Sequence, residues 1–502
     1  MGETLWAVKP LLFTQVPHCT YDVKDGYNQT IEVGTKMKAT PFEIRIEEEV
    51  HFPPGIDLLF HHEVLTKWNL PPGTSLPIRL GLKREIGNIG GEAHKKGLLR
   101  MRKRFANRLL LPFPVKIYGW LTPEKEILFG PTFGILLSGV KGEKEDPFGL
   151  YTRFCEEAWA LSRSFNVLCY VIPFRSLMVK ENRVEGWVKE KEGWRPYPMP
   201  IPTILYNRLS VRSQERSPLF SSLQQSLREK NGVLFNDKFL NKWEVVELLQ
   251  GEVDLLPHLP LSLPAVKLSM IKEMLVHTSV LFLKPLHGSE GTGIIRVRKT
   301  GDGYLTDEMI GEQMETKFYS TLPSLLHSLR QKIKRKRYLL QKGIPLLEVE
   351  RRTTDFRVLV QKGRNGEWKV VSLVARIGKP GAFVSNVAQG GRMERASHIL
   401  SELRESHPAL PTIHRLKALA REVARRLDGK LSGYYGEFGI DLGVSQAGEV
   451  WLIEVNSKPS KKEEATLTPV TGPRPSVQHL FDTLFYYLHF SLHQKEGGKG
   501  VG

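Results

Sequence analysis

Two stretches of this sequence carry side chains whose types and spacing could do chemistry. Residues 436–459 read GEFGIDLGVSQAGEVWLIEVNSKP, two strand-like runs around Gln446-Ala447-Gly448-Glu449. With a loop of two residues (Ala447-Gly448) or of all four, Asp441 opposes Glu454 across an antiparallel pair; a three-residue loop would break that alignment. Carboxylates facing each other at about 5 Å repel unless a cation lies between them, and a divalent ion is the simplest such partner. Asn456, two residues on and on the same face, adds a neutral oxygen. An all-oxygen set without His or Cys suits Mg²⁺ or Mn²⁺, which keeps positions for water and nucleotide phosphates. The alternative is an amphipathic hairpin with its polar face in water; Val450, Leu452 and the apolar run WLIEVN weigh against it.

The second stretch, KPLHGSEGTGI at 284–294, follows the apolar run Val280-Leu281-Phe282-Leu283. Lys284 precedes the glycines, which is the wrong order for a Walker loop, and Gly288-x-x-Gly291-x-Gly293 leads into a strand-like IIRVR rather than the helix that a dinucleotide fingerprint opens. The spacing therefore predicts strand, glycine turn, strand: a flap whose backbone N–H groups could fold over an anion. An ordinary turn without a ligand is the alternative. A further hairpin, Asp355 to Val360 and Trp368 to Arg376 about Asn365-Gly366, places Asp355 opposite Arg376 if the turn has two residues. Such a pair stabilises a sheet, and beside a metal-phosphate site it would also aim Arg376 at a transferring phosphoryl group. Ser385-Asn386 and Gln389-Gly390-Gly391-Arg392 form a polar loop suited to closing over a ligand or to a plain surface connection.

The elements that must position these groups divide the chain, whose 502 residues exceed one common core. Residues 1–115 read as a mostly β domain. Residues 116–236 read as an α/β domain with an open parallel sheet: strands at Ile127–Phe129, Phe133–Leu137, Val167–Ile172 and Thr203–Tyr206, and a helix over Phe148–Ser164. Residues 237–490 form an α+β segment with helices over Lys242–Leu249, Leu325–Lys336 and Ile413–Leu427, the last stopped by Gly429. Residues 491–502 are expected to be a disordered tail.

Composition bounds the rest. With 41% hydrophobic and 25% charged residues, and no apolar run near the roughly 18 residues of a membrane helix, the expectation is a globular chain with no membrane association and no secretion leader. Three scattered cysteines, Cys19, Cys155 and Cys169, exclude a disulfide framework or zinc cluster and fit a reducing cytoplasm. The formal charge of +18 favours acidic or polyanionic partners. Its densest run, Lys332-Ile333-Lys334-Arg335-Lys336-Arg337, lacks the interleaved aromatics of a nucleic-acid surface and reads as a solvated helix end. Tyr206-Asn207-Arg208 and Arg212 are candidates for a carboxylate site or a structural salt bridge.

Taken in order, these parts resemble the ATP-grasp superfamily: Lys242 in NDKFLNKWEVVELL, Lys284 in FLKPLHGSEGTGI, the strand YLLQKGIPL, the DFR segment ending in Arg357, Arg376 with Asn386, and the closing D…E-x-N. The resemblance covers 237–490, with a pre-ATP-grasp domain before it. FGPTFGILLSG, PTILYNRL and GEFGIDLGVSQAGEVWLIEVNSKPS are similar to the YheC/YheD-type, spore-coat-associated branch of endospore-forming bacteria. This implies ATP held between two lobes. Lys242 and Lys284 would neutralise phosphates, with Asp355 nearby. His287, Gly288, Ser289, Gly291 and Gly293 would cover them, and Gln341, Lys342 and Ile344 would meet adenine through the backbone. Asp441, Glu454 and Asn456 would hold Mg²⁺ or Mn²⁺, and Arg376, Asn386 and Arg357 would face the reacting groups. The implied activity is ATP-dependent carboxylate–amine ligation through an acyl phosphate, in the cytoplasm or on the spore coat. Its substrate would be a small molecule, peptide or anionic polymer, with coat proteins as further partners. The alternative is a non-catalytic coat scaffold that keeps a nucleotide fold and binds polyanions. Two departures stand out: Gln341 replaces an acidic residue of many relatives, and Lys458 follows the metal-site asparagine.

Overall fold

The computed structural model describes residues 32–33, 37–142, 145–265, 267–288, 292–310, 313–383, 385, 390–461 and 472–493. The chain forms two compact units, one built on Phe239–Gln361 and Glu367–Pro469, the other on Phe13–Lys238, Lys362–Gly366 and Val470–Gly502.

The second of these holds a closed barrel whose strands run in the order Thr40–Glu47, Leu98–Arg102, Leu58–His61, Lys83–Glu92, Ser75–Leu80, Ile127–Gly130 and Val115–Leu121. The expected boundary at 115 is therefore displaced to about 130: Thr40 pairs with Gly119 and Ile78 with Ile127, so the last two strands close the barrel and remove its edges. The apolar run Ile127-Leu128-Phe129 reads alike in either sheet, and only closure assigns it. A six-stranded sheet follows, in the order Gly193–Pro200, Arg183–Glu190, Leu168–Pro173, Thr132–Leu137, Ile204–Asn207, Val233–Phe235. Its last four strands are parallel and its first two form an antiparallel hairpin. The helix Pro475–His493 belongs to this unit, not to the segment that precedes it in sequence. Phe481 lies 6.0 Å from Phe133, and Tyr487 stacks on Phe235 at 5.4 Å. The helix includes Ser491, whose hydroxyl donates to the Asn231 carbonyl, so the expected tail does not begin there; 494–502 lie outside the described residues.

In the first unit, one antiparallel sheet runs in the order Ser262–Ala265, Tyr338–Lys342, Val280–Pro285, Ile295–Lys299, Tyr304–Ile310, Gln313–Tyr319. Alternation along Val280–Pro285 sends Leu281 and Leu283 into a core with Ile295, Val297, Leu325 and Leu329, and so turns Phe282 and Lys284 to the opposite face. A second sheet runs in the order Arg392–Arg395, Trp368–Ile377, Arg352–Lys362, Glu437–Val444, Val450–Asn456. Helix Ile413–Lys430 covers it with the expected stripe of Leu416, Leu419, Ala420, Val423, Ala424 and Leu427. Gly429 lies inside that helix rather than stopping it, because the last turn continues to Lys430.

Candidate functional site

Lys242 opens its helix by capping. The Asn241 side chain accepts from the Glu244 N–H at 2.9 Å, with Glu244 reaching back to the Asn241 N–H, a reciprocal box that fixes the first turn. From there Lys242 Nζ donates to Glu454 Oε1 at 2.7 Å and to the Gly288 carbonyl at 3.0 Å. One lysine thus joins the glycine turn to an expected metal ligand. Lys284 lies buried and donates to Gln341 Oε1 at 2.5 Å. Burial pulls its pKa down to about 8, with Lys242 pushing the same way and Glu454 opposing. Strand, turn and strand follow in the expected order, Leu283 pairing with Ile295 and Gly293 turning at φ +75°. His287 is exposed. Ser289 and Gly291 lie outside the described residues, as does Asn386.

Asp441 does oppose Glu454, but by a route the turn did not indicate. The loop has three residues: Ser445 N–H donates to Glu449 O at 2.8 Å, and Val444 pairs with Val450. That register alone would misalign the carboxylates. A bulge follows Leu442–Leu452, leaving Ile453 unpaired and bringing Asp441 opposite Glu454 and Gly439 opposite Asn456. Asp441 is buried between two guanidinium groups. Arg357, its partner on the neighbouring strand, donates to both oxygens, and Arg376 donates to Oδ2 at 2.8 Å. Burial raises the Asp441 pKa, but Arg357 and Arg376 outweigh it and hold the carboxyl below its ordinary range. Arg376 also binds Asp355 through both carboxylate oxygens. Asp355 is therefore the anchor of Arg376.

The donor set fits the expected metal only in part. Asp441 and Glu454 present oxygens across a bulge, but Asn456 Oδ1 accepts from the Lys458 N–H at 2.9 Å. Among the described residues no three His, Cys, Asp or Glu side chains gather as a metal cluster. Four cations, Lys242, Lys284, Arg357 and Arg376, face three carboxylates, Asp355, Asp441 and Glu454. A divalent ion accompanied by phosphates would bring negative charge to these cations, which a bare ion would not.

At the hinge, two of the expected backbone donors have partners. The Lys342 N–H donates to Leu261 O at 2.9 Å and the Gly343 N–H to Val280 O at 2.8 Å, so these donors are engaged within the sheet. Ile344, half-buried, follows the end of the strand. Gln341 instead serves through its side chain, accepting from Lys284 and donating to Ser262 Oγ at 3.2 Å. The cleft lined by Lys242, Leu339, Gln341 and Glu454 has a volume of about 20 Å³, little more than one water needs.

In the other unit, Arg208 is buried against the rings of Tyr151 and Tyr206, at 5.4 and 5.6 Å, and donates to the Tyr151 hydroxyl. Asn207 is buried too, donating to Glu215 and to Asp237 O. Arg212 begins the short helix Arg212–Glu215. Sequence reasoning missed the buried ion pair Glu437–Lys461, to which Gln361 adds a hydrogen bond at 3.2 Å. No local motif marks it, since its members meet only through strand pairing. Lys458 lies over the Phe239 ring at 4.5 Å.

The model of the YheC/D-like ATP-grasp family matches residues 231–488, more than half of the chain. The chain is 26% identical over 409 residues to the endospore coat-associated protein YheD of Bacillus subtilis (strain 168), covering 81% of this chain and 89% of that protein. It is 23% identical over 295 residues to YheC of the same organism, endospore coat-associated too, covering 57% and 80%. Among solved structures it is similar to D-alanyl-alanine synthetase A from Vibrio cholerae, with 13% identity, TM-score 0.41 and coverage of 72% and 96%. It is also similar to the ATP-grasp ligase PsnB complexed with minimal precursor, with 14% identity, TM-score 0.43 and coverage of 70% and 99%.

Proposed function

The chain belongs to the YheC/D-like ATP-grasp family, and on that premise we propose that it is an ATP-dependent carboxylate–amine ligase that forms an amide or peptide bond through an acyl phosphate. The observation that carries this reading is the double contact of Lys242 with Glu454 and the Gly288 carbonyl. A cation that bridges a glycine turn and a carboxylate sits where a phosphate chain and its metal would have to enter.

ATP supplies the phosphoryl group that activates the carboxylate, and Mg²⁺ or Mn²⁺ supplies charge neutralisation beside it. Asp441, Glu454 and Asn456 would hold the metal, the Asn456 oxygen having a second lone pair beside the one that accepts the Lys458 N–H. Lys242 and Lys284 bind phosphate as point charges. Gly288 and Gly293 shape the turn that excludes water, with Ser289 and Gly291 between them. Arg376, locked by Asp355, presents a fixed guanidinium to a transferring phosphoryl group, and Arg357 orients Asp441. Such a site works by positioning and charge rather than by a nucleophile. The coat-associated names of the two relatives support a place in spore formation, in the cytoplasm or on the developing coat. The alternative to be separated by experiment is a coat scaffold that keeps the fold without turnover.

Thermal shift with Mg·ATP, followed by ADP release across a panel of acids and amines, separates the two. The ligase reading expects Mg-dependent stabilisation and ADP release with some acid and amine pair; stabilisation without any release supports the scaffold. No stabilisation by Mg·ATP at millimolar concentration would sink the ligase reading.

A further inference from the structure

Strand pairing lays a row of side chains across the first sheet of the Lys284 unit. Gln341 pairs with Phe282, Phe282 with Arg296, Arg296 with Asp307, and Asp307 with Thr316. Opposed residues share a face, so this row lies on the face that Lys284 shares with Phe282, two positions away. Asp307 has a fully buried side chain, and everything around it is arranged to hold its charge. Arg296 Nε donates to Oδ2 at 2.8 Å, Arg298 Nε to Oδ2 at 2.8 Å, Arg298 Nη2 to Oδ1 at 3.0 Å, and Thr316 Oγ1 to Oδ1 at 2.8 Å.

Two guanidinium groups on one carboxylate leave a net positive charge. They also leave donors to spare: among the described residues Arg296 uses only Nε, and Arg298 keeps Nη1. The Phe383 ring covers the face of Arg296 at 4.8 Å, which fixes its plane and leaves its edge for hydrogen bonding. The side chains of Arg296 and Arg298 are 23% and 36% exposed. A buried anchor behind two arginines is how a protein pre-orients forks for a carboxylate.

The row ends at strand Gln313–Tyr319, the sheet's edge, whose outer side pairs with no strand among the described residues. Flanking Thr316 on the same face are Met314 and Phe318, 41% and 56% exposed. An anion site continued by exposed apolar side chains and an open strand edge suits an extended chain that carries both kinds of group.

We infer that Arg296 and Arg298 form a carboxylate-binding subsite for an acidic peptide segment, whose apolar residues rest on Met314 and Phe318 at the open edge. The inference deepens the ligase reading, on which it rests for taking the bound peptide as substrate.

The test uses the full chain without nucleotide and a fluorescein-labelled peptide of alternating glutamate and leucine, read by anisotropy. Wild type binds, and R296Q and R298Q each weaken binding at least ~10-fold, the loss of a charge-assisted hydrogen bond. R296K weakens it as well, since a point charge does not replace a fork. Met314→Asp with Phe318→Asp weakens it without touching the arginines, and carries the test should an arginine variant fail to fold. The matching glutamine–leucine peptide binds poorly. The inference is overturned if wild type does not bind, if R296Q and R298Q stay within about twofold of wild type, or if the glutamine peptide binds as tightly. Displacement by inorganic phosphate at equal affinity would reassign the arginines to a phosphate site and overturn it too. Stabilisation by Mg·ATP, measured on the same variants, is unchanged from wild type; if peptide binds but Mg·ATP stabilises none of them, the ligase reading fails alone.

Discussion

Asp441 faces Glu454 across the last two strands of the second sheet, in a register that a single bulge residue, Ile453, restores after a three-residue turn. The two carboxylates are neutralised by different partners: Asp441 by Arg357 and Arg376, Glu454 by Lys242. Their side chains differ in exposure, 10% against 32%. Substitution should therefore separate stability from metal dependence. Glu454→Gln leaves Lys242, itself only 10% exposed, with a neutral amide and the Gly288 carbonyl and should cost about 1–3 kcal/mol, while abolishing the Mg-dependent part of ATP stabilisation. Asp441→Asn removes from a buried site the one carboxylate that Arg357 and Arg376 share and should cost about 3–5 kcal/mol. Urea unfolding with and without Mg·ATP measures both, and an unchanged Mg response in Glu454→Gln would remove it from the metal site.

Arg376 ties Asp355 to Asp441. Arg376→Met leaves two buried carboxylates short of a cation and should destabilise the chain by about 3–5 kcal/mol. Adding Asp355→Asn removes one of those charges, so the double variant should recover part of the loss while ligation stays low. A double variant no more stable than Arg376→Met would show that Asp355 is compensated by other groups.

How far these relationships could be read in advance depended on whether they are local. Lys242 was named only through the resemblance, whereas the strand–glycine boundary that positions Lys284 can be read within a few residues. The stripe of helix Ile413–Lys430 was legible for the same reason, although Gly429 failed to stop it. The opposition of Asp441 and Glu454 was reached through an assumed loop of two or four residues, whereas a turn of three and a bulge produce it. Two errors of one residue cancelled. Barrel closure, the placement of helix Pro475–His493, and the row from Gln341 to Thr316 depend on pairings between distant segments, where neither period nor spacing records the partner. At the hinge, strand Tyr338–Lys342 is paired on both sides, so the Lys342 and Gly343 N–H groups are engaged, which their own sequence does not record.

Lys284 titrates at about 8 in the folded chain against an ordinary 10.5. Below pH 8 its buried charge costs stability; that cost fades as pH rises from 8 toward 10.5, where the unfolded chain binds more protons, so this lysine alone makes the chain more stable with alkali. Nucleotide affinity should move the other way. A bound phosphate favours the charged form, so ATP affinity holds through neutral pH and falls by up to roughly tenfold per pH unit above 8, until the pKa of the complex is passed. Lys284→Met should weaken ATP about 10- to 100-fold and flatten the profile. Calorimetry in buffers of different ionisation enthalpy should detect proton uptake on binding by wild type above pH 8 and a smaller uptake in the variant. Equal uptake in both would assign the proton to another group.

Lys242 holds the glycine turn and Glu454 at once, with a side chain 10% exposed. If phosphate and metal take over these two contacts, the lysine must release Gly288 and Glu454 together, and the turn and the metal ligand respond as one. Lys242→Met removes the bridge without adding charge. Amide exchange at Leu286–Gly288 should then rise in the nucleotide-free chain, while Glu454, no longer countered, should bind Mg²⁺ more tightly without nucleotide than it does in wild type. In wild type the same amides should slow on adding Mg·ATP but respond little to Mg²⁺ alone, because the lysine and the metal compete for one carboxylate. Hydrogen exchange by mass spectrometry reads each state. Exchange at Leu286–Gly288 that is indifferent to Lys242→Met would mean that the turn is held by its own backbone, including the Gly288 N–H bond to Pro285 O at 3.2 Å, and that the lysine is not its latch.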